Sequence, residues 1–484
     1  MVPLLPVTST SARLIRTASF FFAAVSFHLL GAHAHAQFCP EAGSPFSMGP
    51  GIRPNRLACG DVNGDLVRDL LSANDGTDNV SVLLGDGLGG FLPAQLWPVG
   101  DEPLSVVVAD LDGDTDLDFA TSNQTSNDVT IRFNDGTGAF PASVSLPVGP
   151  AANDLVAVDL NDDLVLDLAG VTGADSSVWV RLGLGGGTFA PVVTYRTGNT
   201  PSEIRTRDFD GDGSPDLVTS NFGEMSLSIH FNLGDGTFAP HERYVLPMDP
   251  WGLTTGNVDG INGPDILIVD AIRDSLFVLL NDGAGSFTQT LRHRVGNGSY
   301  AVSAADLDCD GLDDVMTGNL VDDDLTIFMN QGGSFGSAII IAIGMNPSSV
   351  PACDLLEGPA LEIAVAYGGG VRIVRNTCSL CDQAVAVGGG GPGPSNRISL
   401  APNPMSGTGR VAFRLDRTER VRVEVFDVLG RRIRTLWDGV AGEGQHLVTW
   451  DGKAGSGVRA APGVYLVRMR CGDRVESRAW LLAR

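Results

Sequence analysis

Short apolar runs alternate with polar turns along most of the chain. After each of several acidic loops comes a run such as Leu70-Leu71 or Val315-Met316-Thr317, and an asparagine ends it a few residues later. A second run, such as Val80–Leu84, ends in a Gly-Asp-Gly or Asn-Asp-Gly turn, which favours a hairpin. Apolar and β-branched runs this short, bounded by Gly, Asn and Asp, predict strands and not helices.

This pattern recurs along the chain with a nearly constant period. The acidic loop begins at Asp61, Asp110, Asp159, Asp208, Asn257, Asp306 and Asp354, so successive starts are 49 residues apart five times and 48 once. A phenylalanine keeps the same period, at Phe91, Phe140, Phe189, Phe238, Phe287 and Phe335. Counting the apolar run before each loop, one unit holds about four strands, as a propeller blade does. We therefore predict an all-β fold that begins with a seven-bladed β-propeller.

The acidic loops have the composition of calcium sites. The fullest, Asp208–Asp216, places side-chain oxygens at loop positions one, three, five and nine, with glycine at position six. Calcium takes about six to eight oxygen ligands, and clustered carboxylates repel one another without a cation. The predicted ligands in five loops are Asp61, Asn63, Asp65 and Asp69; Asp110, Asp112, Asp114 and Asp118; Asp159, Asn161, Asp163 and Asp167; Asp208, Asp210, Asp212 and Asp216; and Asp306, Asp308, Asp310 and Asp314.

Two loops depart from this set. The fifth has Ile261 at position five, and we expect weak or no binding by its remaining oxygens at Asn257, Asp259 and Asp265. The seventh keeps only Asp354 and Glu362, and we expect no binding there. An EF-hand would need a glutamate at position twelve and flanking helices, whereas position twelve is serine or threonine in four of these loops and strands are predicted to follow.

From Phe46 to Asn376 the chain resembles the FG-GAP or VCBS repeat family, best known from the propeller of integrin α-subunits. The resemblance rests on the glycine turns, the nine-residue acidic loop and the period together. It implies a propeller with calcium in its blade loops, used mostly for extracellular recognition and adhesion.

The two ends of the chain predict export. Arg13 and Arg16 precede an apolar stretch over residues 18–30 that ends in Ala34-His-Ala36, so residues 1–36 are predicted to be a signal peptide and the mature chain to begin at Gln37. A membrane anchor is the alternative, but the apolar run is shorter than the ~20 residues of a span. Residues 37–382 would form the propeller, and the Gly/Pro-rich segment 383–397 a flexible linker.

Residues 398–484 alternate apolar and polar positions and predict a small immunoglobulin-like β-sandwich. Ala401-Pro-Asn-Pro404, the segment 425–436 and Pro462-Gly-Val-Tyr465 resemble the domain shared by flagellar-hook-capping proteins and the C-terminal sorting domains of type IX secretion. This resemblance implies contact with secretion machinery and delivery to the surface of a Gram-negative bacterium. A plain β-sandwich spacer is the alternative.

Charge and cysteines refine this assignment. Residues 1–397 carry 48 acidic and 17 basic side chains, and residues 398–484 carry 9 and 15, so the acidic propeller is not expected to bind nucleic acid. The seven cysteines fit an oxidising compartment. A bridge from Cys39 to Cys378 or Cys381 is one way to clasp the ends of the ring.

An enzymatic role finds little support in these residues. The histidines after the signal peptide lie in different units, without a recurring catalytic partner, at His230, His241, His293 and His446. Gly85–Gly90 matches a dinucleotide fingerprint, but Phe91-Leu-Pro93 follows where a helix would be needed, so we predict a hairpin turn.

We therefore expect a secreted or cell-surface, calcium-binding recognition or adhesion module for an extracellular protein or glycan. One alternative is a structural envelope or matrix component without a specific ligand, and a propeller hydrolase or lyase is the remaining one. Three tryptophans are candidate ligand contacts, although such residues are often core, at Trp97, Trp179 and Trp251.

Overall fold

The computed structural model describes residues 38–482 apart from gaps at 41–43, 50–51, 66, 88–89, 288, 356–360, 377–397, 402–408, 416–418, 428–430, 442–443, 451, 455–458, 461–462 and 472–473. The predicted signal peptide and the predicted linker lie outside the described residues. In the part of the chain that is described, no helix is long and apolar enough to cross a membrane.

Seven four-stranded antiparallel sheets form the blades of the propeller, and they confirm the predicted fold. The described chain begins with β1 (Phe38–Pro40). Blade one contains β2 (Pro54–Gly60), β3 (Asp69–Asn74), β4 (Asn79–Leu83) and β5 (Gln95–Pro98). Blade two contains β6 (Pro103–Ala109), β7 (Asp118–Asn123), β8 (Asp128–Phe133) and β9 (Ala142–Pro147). Blade three contains β10 (Ala152–Val158), β11 (Asp167–Thr172), β12 (Ser177–Arg181) and β15 (Val193–Arg196), with a hairpin of β13 (Gly183–Gly185) and β14 (Thr188–Phe189).

The remaining blades repeat this order, with one exception in blade seven. Blade four contains β16 (Pro201–Arg207), β17 (Asp216–Asn221), the 3-10 turn Phe222–Glu224, β18 (Ser226–His230) and β19 (Glu242–Val245). Blade five contains β20 (Gly252–Gly256), β21 (Asp265–Asp270), β22 (Ser275–Leu280) and β23 (Gln289–Arg294). Blade six contains β24 (Ser299–Ala305), β25 (Asp314–Asn319), β26 (Asp324–Phe328) and β27 (Ile339–Ala342). Blade seven contains β28 (Ala352–Cys353), β29 (Glu362–Tyr367) and β30 (Gly370–Asn376), and β1 is its fourth strand.

The ring is closed in two ways. Strand β1 pairs antiparallel with β30, with Phe38 opposite Asn376, so the N-terminal strand completes the last blade. A disulfide joins Cys59 in β2 to Cys353 in β28, which are 294 residues apart in sequence. Because the chain continues from β1 into blade one, the strand pairing and the disulfide both link blade one to blade seven. Sequence analysis predicted a clasp but placed it at Cys378 or Cys381, which lie outside the described residues.

Position within the ring explains the burial of each strand. The first strands of neighbouring blades contact one another, so they line the centre of the ring. The second strands are buried along their whole length, as in β7 and β17, because another blade covers each face. The fourth strands, such as β9 and β19, alternate between exposed and half-buried residues, because their outer edge meets solvent.

The hydrophobic core lies between blades. Ile131 of β8 shares a buried cluster with Leu168 of β11 and Trp179 of β12, and equivalent clusters occupy the other interfaces. The periodic phenylalanines belong to these clusters: Phe140 is fully buried and packs edge-to-face on Phe119 at 4.8 Å between ring centroids. Burying one such side chain stabilises the fold by about 1.5–3 kcal/mol. The 49-residue period therefore repeats the packing interface between blades as well as the turn.

The two ends of the segment 85–90 meet in a turn, as predicted. Gly85 forms an antiparallel bridge with Phe91, and the Asp86 N–H donates to the Gly90 carbonyl at 3.0 Å. Strand β5 follows, where a dinucleotide site would have a helix.

The C-terminal segment forms two sheets of its own. One contains β31 (Ile398–Ala401), β32 (Gly409–Leu415) and β35 (Gly444–Trp450), and the other β33 (Glu419–Asp427), β34 (Arg432–Ala441), β36 (Gly463–Cys471) and β37 (Arg474–Leu482). Val411, Val423 and Trp450 share a buried core drawn from both sheets. This arrangement agrees with the predicted β-sandwich.

Candidate metal centres

The described parts of the acidic loops lie on one face of the ring, which we call the acidic face. Each joins the C-terminal end of a first strand to the start of a second strand, as Asp208–Asp216 joins β16 to β17. Strands lie on both sides of the loops, so the EF-hand alternative does not apply. Position four has a left-handed backbone, with φ of 85° at Gly113 and 79° at Gly211, and this conformation turns successive carboxylates inward.

In three loops the carboxylates at positions one, three and nine form a triad. Their ligand atoms lie within 4.8 Å of one another in blades two, four and six, at Asp110, Asp112 and Asp118; Asp208, Asp210 and Asp216; and Asp306, Asp308 and Asp314. An all-oxygen set of this kind suits a hard cation such as calcium. In each of these loops the triad contains three of the four predicted ligands, all but the aspartate at position five.

The aspartate at position nine is also part of the fold. Asp216 is fully buried, and its two carboxylate oxygens accept the backbone N–H groups of Phe209 and Asn232, each at 2.9 Å. Asp265 makes the equivalent bonds in the fifth loop, where the ligand set is incomplete. Glu362 accepts the Leu355 N–H at 3.1 Å in the seventh. Position nine therefore ties the loop to the blade whether or not the loop has a full ligand set.

The aspartate at position five lies outside the triads. Asp114 and Asp212 each accept the N–H of the residue two positions on, at 2.9 and 2.7 Å, in an Asx-type turn. Their predicted role as ligands remains a prediction.

Loops one and three use asparagine at position three. The Asn63 amide donates to Asp65 at 3.0 Å, and Asn161 donates to Asp163 at the same distance. A donor amide thus partly balances the acidic loop, and the amide oxygen supplies the ligand if a cation binds. The five predicted calcium loops therefore form two structural classes, three with a carboxylate triad and two with an asparagine.

In the fifth loop the Asn257 side chain accepts the Gly260 N–H at 2.9 Å, and Ile261 is 58% exposed at position five. The middle of the seventh loop lies outside the described residues.

Burial disfavours the ionised form of the position-nine carboxylate in each triad. Burial, together with the smaller effect of the neighbouring loop carboxylates, raises the pKa of Asp118 and Asp216 to about 6 and that of Asp314 to about 7. The backbone N–H donors act in the opposite direction. A bound cation favours the ionised form of all three carboxylates of a triad, so the donor chemistry and the electrostatics both fit calcium.

Comparison with known families agrees with this geometry. Residues 61–121 and 208–268 match the FG-GAP-like repeat, and residues 395–473 match the FlgD Ig-like domain. The chain contains FG-GAP-like repeats and a C-terminal FlgD Ig-like domain. No curated protein matches the sequence.

Solved structures resemble the FG-GAP propeller at low sequence identity. The structure of BBS1N in complex with ARL6DN is 11% identical with a TM-score of 0.52, and the similarity covers 70% of this chain and 96% of that one. PorZ, a surface component of the type-IX secretion system of Porphyromonas gingivalis, is 14% identical with a TM-score of 0.45, covering 91% and 61%. A lectin of Agrocybe aegerita that recognises non-reducing terminal N-acetylglucosamine is 18% identical with a TM-score of 0.45, covering 61% and 83%. At these identities the likeness concerns the fold.

Sequence analysis missed a set of asparagines that join neighbouring blades of the FG-GAP propeller. Asn232 in blade four donates to the Leu160 carbonyl, at position two of the acidic loop in blade three, and to the Pro215 carbonyl of its own blade. Its equivalents bind the loop of the preceding blade in the same way, at Asn134, Asn281, Asn330 and Asn376. Asn134 and Asn281 stand in Asn-Asp-Gly turns, but a turn motif does not reveal a bond across 72 residues.

The centre of the ring holds a buried ion-pair cluster that sequence analysis also missed. Arg205 donates to Asp154 at 2.7 Å and to Glu203 at 3.1 Å, and Arg56 donates to Glu203 as well. Burial opposes ionisation of Asp154, but Arg205 and Arg56 hold its pKa below the usual range. These residues belong to blades one, three and four, and no local motif brings them together.

The three candidate tryptophans have different surroundings. Trp179 is fully buried and belongs to the core. Trp97 is partly buried, packs on Phe140 and lies under Arg132, 5.6 Å from the ring centroid. Trp251 lies at the centre of the ring, between Phe222 and Tyr300.

Proposed function

We propose that this protein is a secreted or cell-surface, calcium-binding FG-GAP propeller that acts as a recognition or adhesion module for an extracellular protein or glycan. The observation that carries the proposal is the set of three oxygen triads on one face of a closed ring. A ring held rigid in this way can present its opposite face as a constant surface for a partner.

Calcium has a structural role in this proposal. Each triad stands where a first strand turns into a second strand, and the asparagines of the next blade hold position two of several loops. A cation at the triad would fix the turn and, through it, the interface between two blades. Binding to the folded state alone stabilises it by about 2.7 kcal/mol per site at a hundredfold excess over Kd.

An exported location is part of the proposal. The Cys59–Cys353 disulfide supports an oxidising compartment. The match of residues 395–473 to the FlgD Ig-like domain supports export or anchoring through the C-terminal domain. The predicted signal peptide would carry the chain across the first membrane.

A non-enzymatic role is also proposed. His230 is buried against Phe238 and His241, and burial lowers its pKa to about 3. Such a histidine is not a base of suitable strength near neutral pH. The clustered carboxylates recur at fixed blade positions, which favours ligation over acid and base catalysis.

The proposal is tested by binding of the full chain to arrays of glycans and of envelope and matrix proteins, in calcium and in EGTA. We expect saturable binding to at least one class of partner, weakened in EGTA because the blades loosen. If the folded, calcium-loaded protein binds nothing on either array, the recognition role is wrong and a structural envelope component takes its place.

A further inference from the structure

A pocket opens at the centre of the ring on the face opposite the acidic loops. Its lining comes from the N-terminal ends of first strands and from segments next to second strands, whereas the acidic loops leave the other ends of the first strands. The cavity measures about 230 Å³. Ligand pockets for drug-sized molecules span ~300–1,000 Å³, so this one has room for a single ring-sized group. We call it the mouth pocket.

The ion-pair cluster forms the floor of the mouth pocket. Arg56 and Glu203 line the cavity, and the cluster also contains Arg205 and Asp154. Two cations face two carboxylates, so the formal charge is zero. Asp154 and Glu203 are only 3% and 5% exposed. The two arginines and two carboxylates are already paired with one another, so an anionic or cationic ligand would have to break an existing ion pair to bind here.

One wall of the mouth pocket is aromatic. Trp251 packs against Phe222 with 4.7 Å between ring centroids, and against Tyr300 with 5.5 Å. Phe222 is 36% exposed although it is a large apolar residue. The indole Nε1–H of Trp251 is buried and has no hydrogen-bond partner among the described residues. The indoles of Trp97, Trp179 and Trp437 are in the same state, so this N–H does not distinguish the pocket, and the aromatic wall rests on the packed rings.

The other wall is polar and uncharged. Gln124 donates to Asn153 at 2.8 Å, and both side chains line the cavity together with Asn55 and Ser202. These four residues come from blades one to four, so a ligand would be held by several blades at once. Amide and hydroxyl groups both donate and accept, as hydroxyl-rich ligands require.

We propose that the mouth pocket binds one uncharged sugar ring. The apolar C–H face of a pyranose would pack on Trp251, and its hydroxyl groups would meet the Asn153 and Gln124 amides. This combination of an apolar surface with a few placed polar groups is typical of small-molecule sites. The inference rests on the recognition role proposed above and names the ligand class and the site.

The test uses the full chain and the methyl glycosides of glucose, galactose, mannose and N-acetylglucosamine, with glucuronate and glucosamine as charged counterparts. Binding is measured by saturation-transfer NMR and by tryptophan fluorescence. We expect at least one neutral glycoside to bind, with an affinity at least tenfold lower in Trp251→Ala. Trp251→Phe keeps an aromatic ring with a smaller face and should fall between the two. Trp97→Ala, a tryptophan outside the pocket, is the matched control and should bind as the unmodified chain does.

Three results would overturn the inference: no neutral glycoside binds, only the charged sugars bind, or binding survives unchanged in Trp251→Ala. Each variant must first show the melting temperature and calcium response of the unmodified chain. If Trp251→Phe alone meets that condition, its loss of affinity decides the test. If the Trp251 variants still bind to the glycan or protein array, the mouth pocket is not the binding site, but the recognition role stands. If the unmodified chain binds to neither array, the recognition role itself is wrong.

Discussion

At the scale of single residues, loop positions one, three, five and nine have different roles. All were predicted as ligands from composition, but Asp216 also accepts two backbone N–H groups, whereas Asp212 accepts one within a turn. The alternation of acids along the loop was readable because it is local. The double role of position nine could not be predicted, because one of the N–H groups that Asp216 accepts belongs to Asn232, 16 residues further along the chain.

This difference predicts unequal effects of Asp→Asn changes. Asp216→Asn places an NH₂ group against a backbone donor in a buried site and should cost about 1–3 kcal/mol of stability even in EGTA. Asp212→Asn, the matched change at position five, should change stability in EGTA by less than about 0.5 kcal/mol. Thermal melts in EGTA measure both. Equal losses of stability for the two variants in EGTA would show that the buried hydrogen bonds of Asp216 add nothing beyond the turn contact of Asp212.

His230 predicts a pH dependence of stability. Its folded pKa is about 3, below the unfolded value of 6.5, so the unfolded state binds the extra proton between these two pH values. The free energy of unfolding is therefore lost as pH falls from 6.5 towards 3, by up to about 1.4 kcal/mol per pH unit. His230→Phe should remove this part of the acid sensitivity. Parallel stability curves for the two proteins from pH 7 to pH 4 would contradict the assignment.

At the scale of elements, the period near 49 residues predicted the blades because each blade repeats one set of turns and one interface. The glycine and asparagine turns located the hairpins, and the apolar runs located the buried second strands. The bonds between blades escaped prediction, since Asn232 and Leu160 are distant in sequence and neither residue type is unusual for its place.

These inter-blade bonds predict a selective loss of stability. Asn232→Ala removes a buried side chain that donates at 2.8 Å to Leu160 and at 3.0 Å to Pro215, and should cost about 1–3 kcal/mol. Thr237→Ala, on the same hairpin, removes an exposed bond to Asp235 and should cost less than about 0.5 kcal/mol. Urea unfolding of both variants tests this, and similar midpoints would show that the bond between blades contributes nothing.

At the scale of the whole molecule, a closed ring depends on residues from both ends of the propeller. The seven units indicated a ring, but the pairing of β1 with β30 and the Cys59–Cys353 bridge follow from three-dimensional closure. The mouth pocket likewise draws on blades one to six and has no linear signature. The C-terminal sandwich was predictable because its strands alternate and its motifs are local.

Closure predicts a role for the disulfide. Cys59→Ser with Cys353→Ser should lower stability by about 2–4 kcal/mol, because the bridge limits the unfolded chain over 294 residues. Differential scanning calorimetry compares the double variant with the unmodified protein. Identical melting temperatures would mean that β1 alone secures the ring.

The most direct test of the whole account is the melting temperature of the full chain in calcium and in EGTA, compared with a variant that lacks one triad. We expect a clearly higher melting temperature in calcium, and a smaller difference in the Asp208→Asn, Asp210→Asn variant, which keeps the bonds of Asp216. Superimposed melting curves in calcium and EGTA for the unmodified chain would show that the acidic loops do not bind calcium, and would contradict the account.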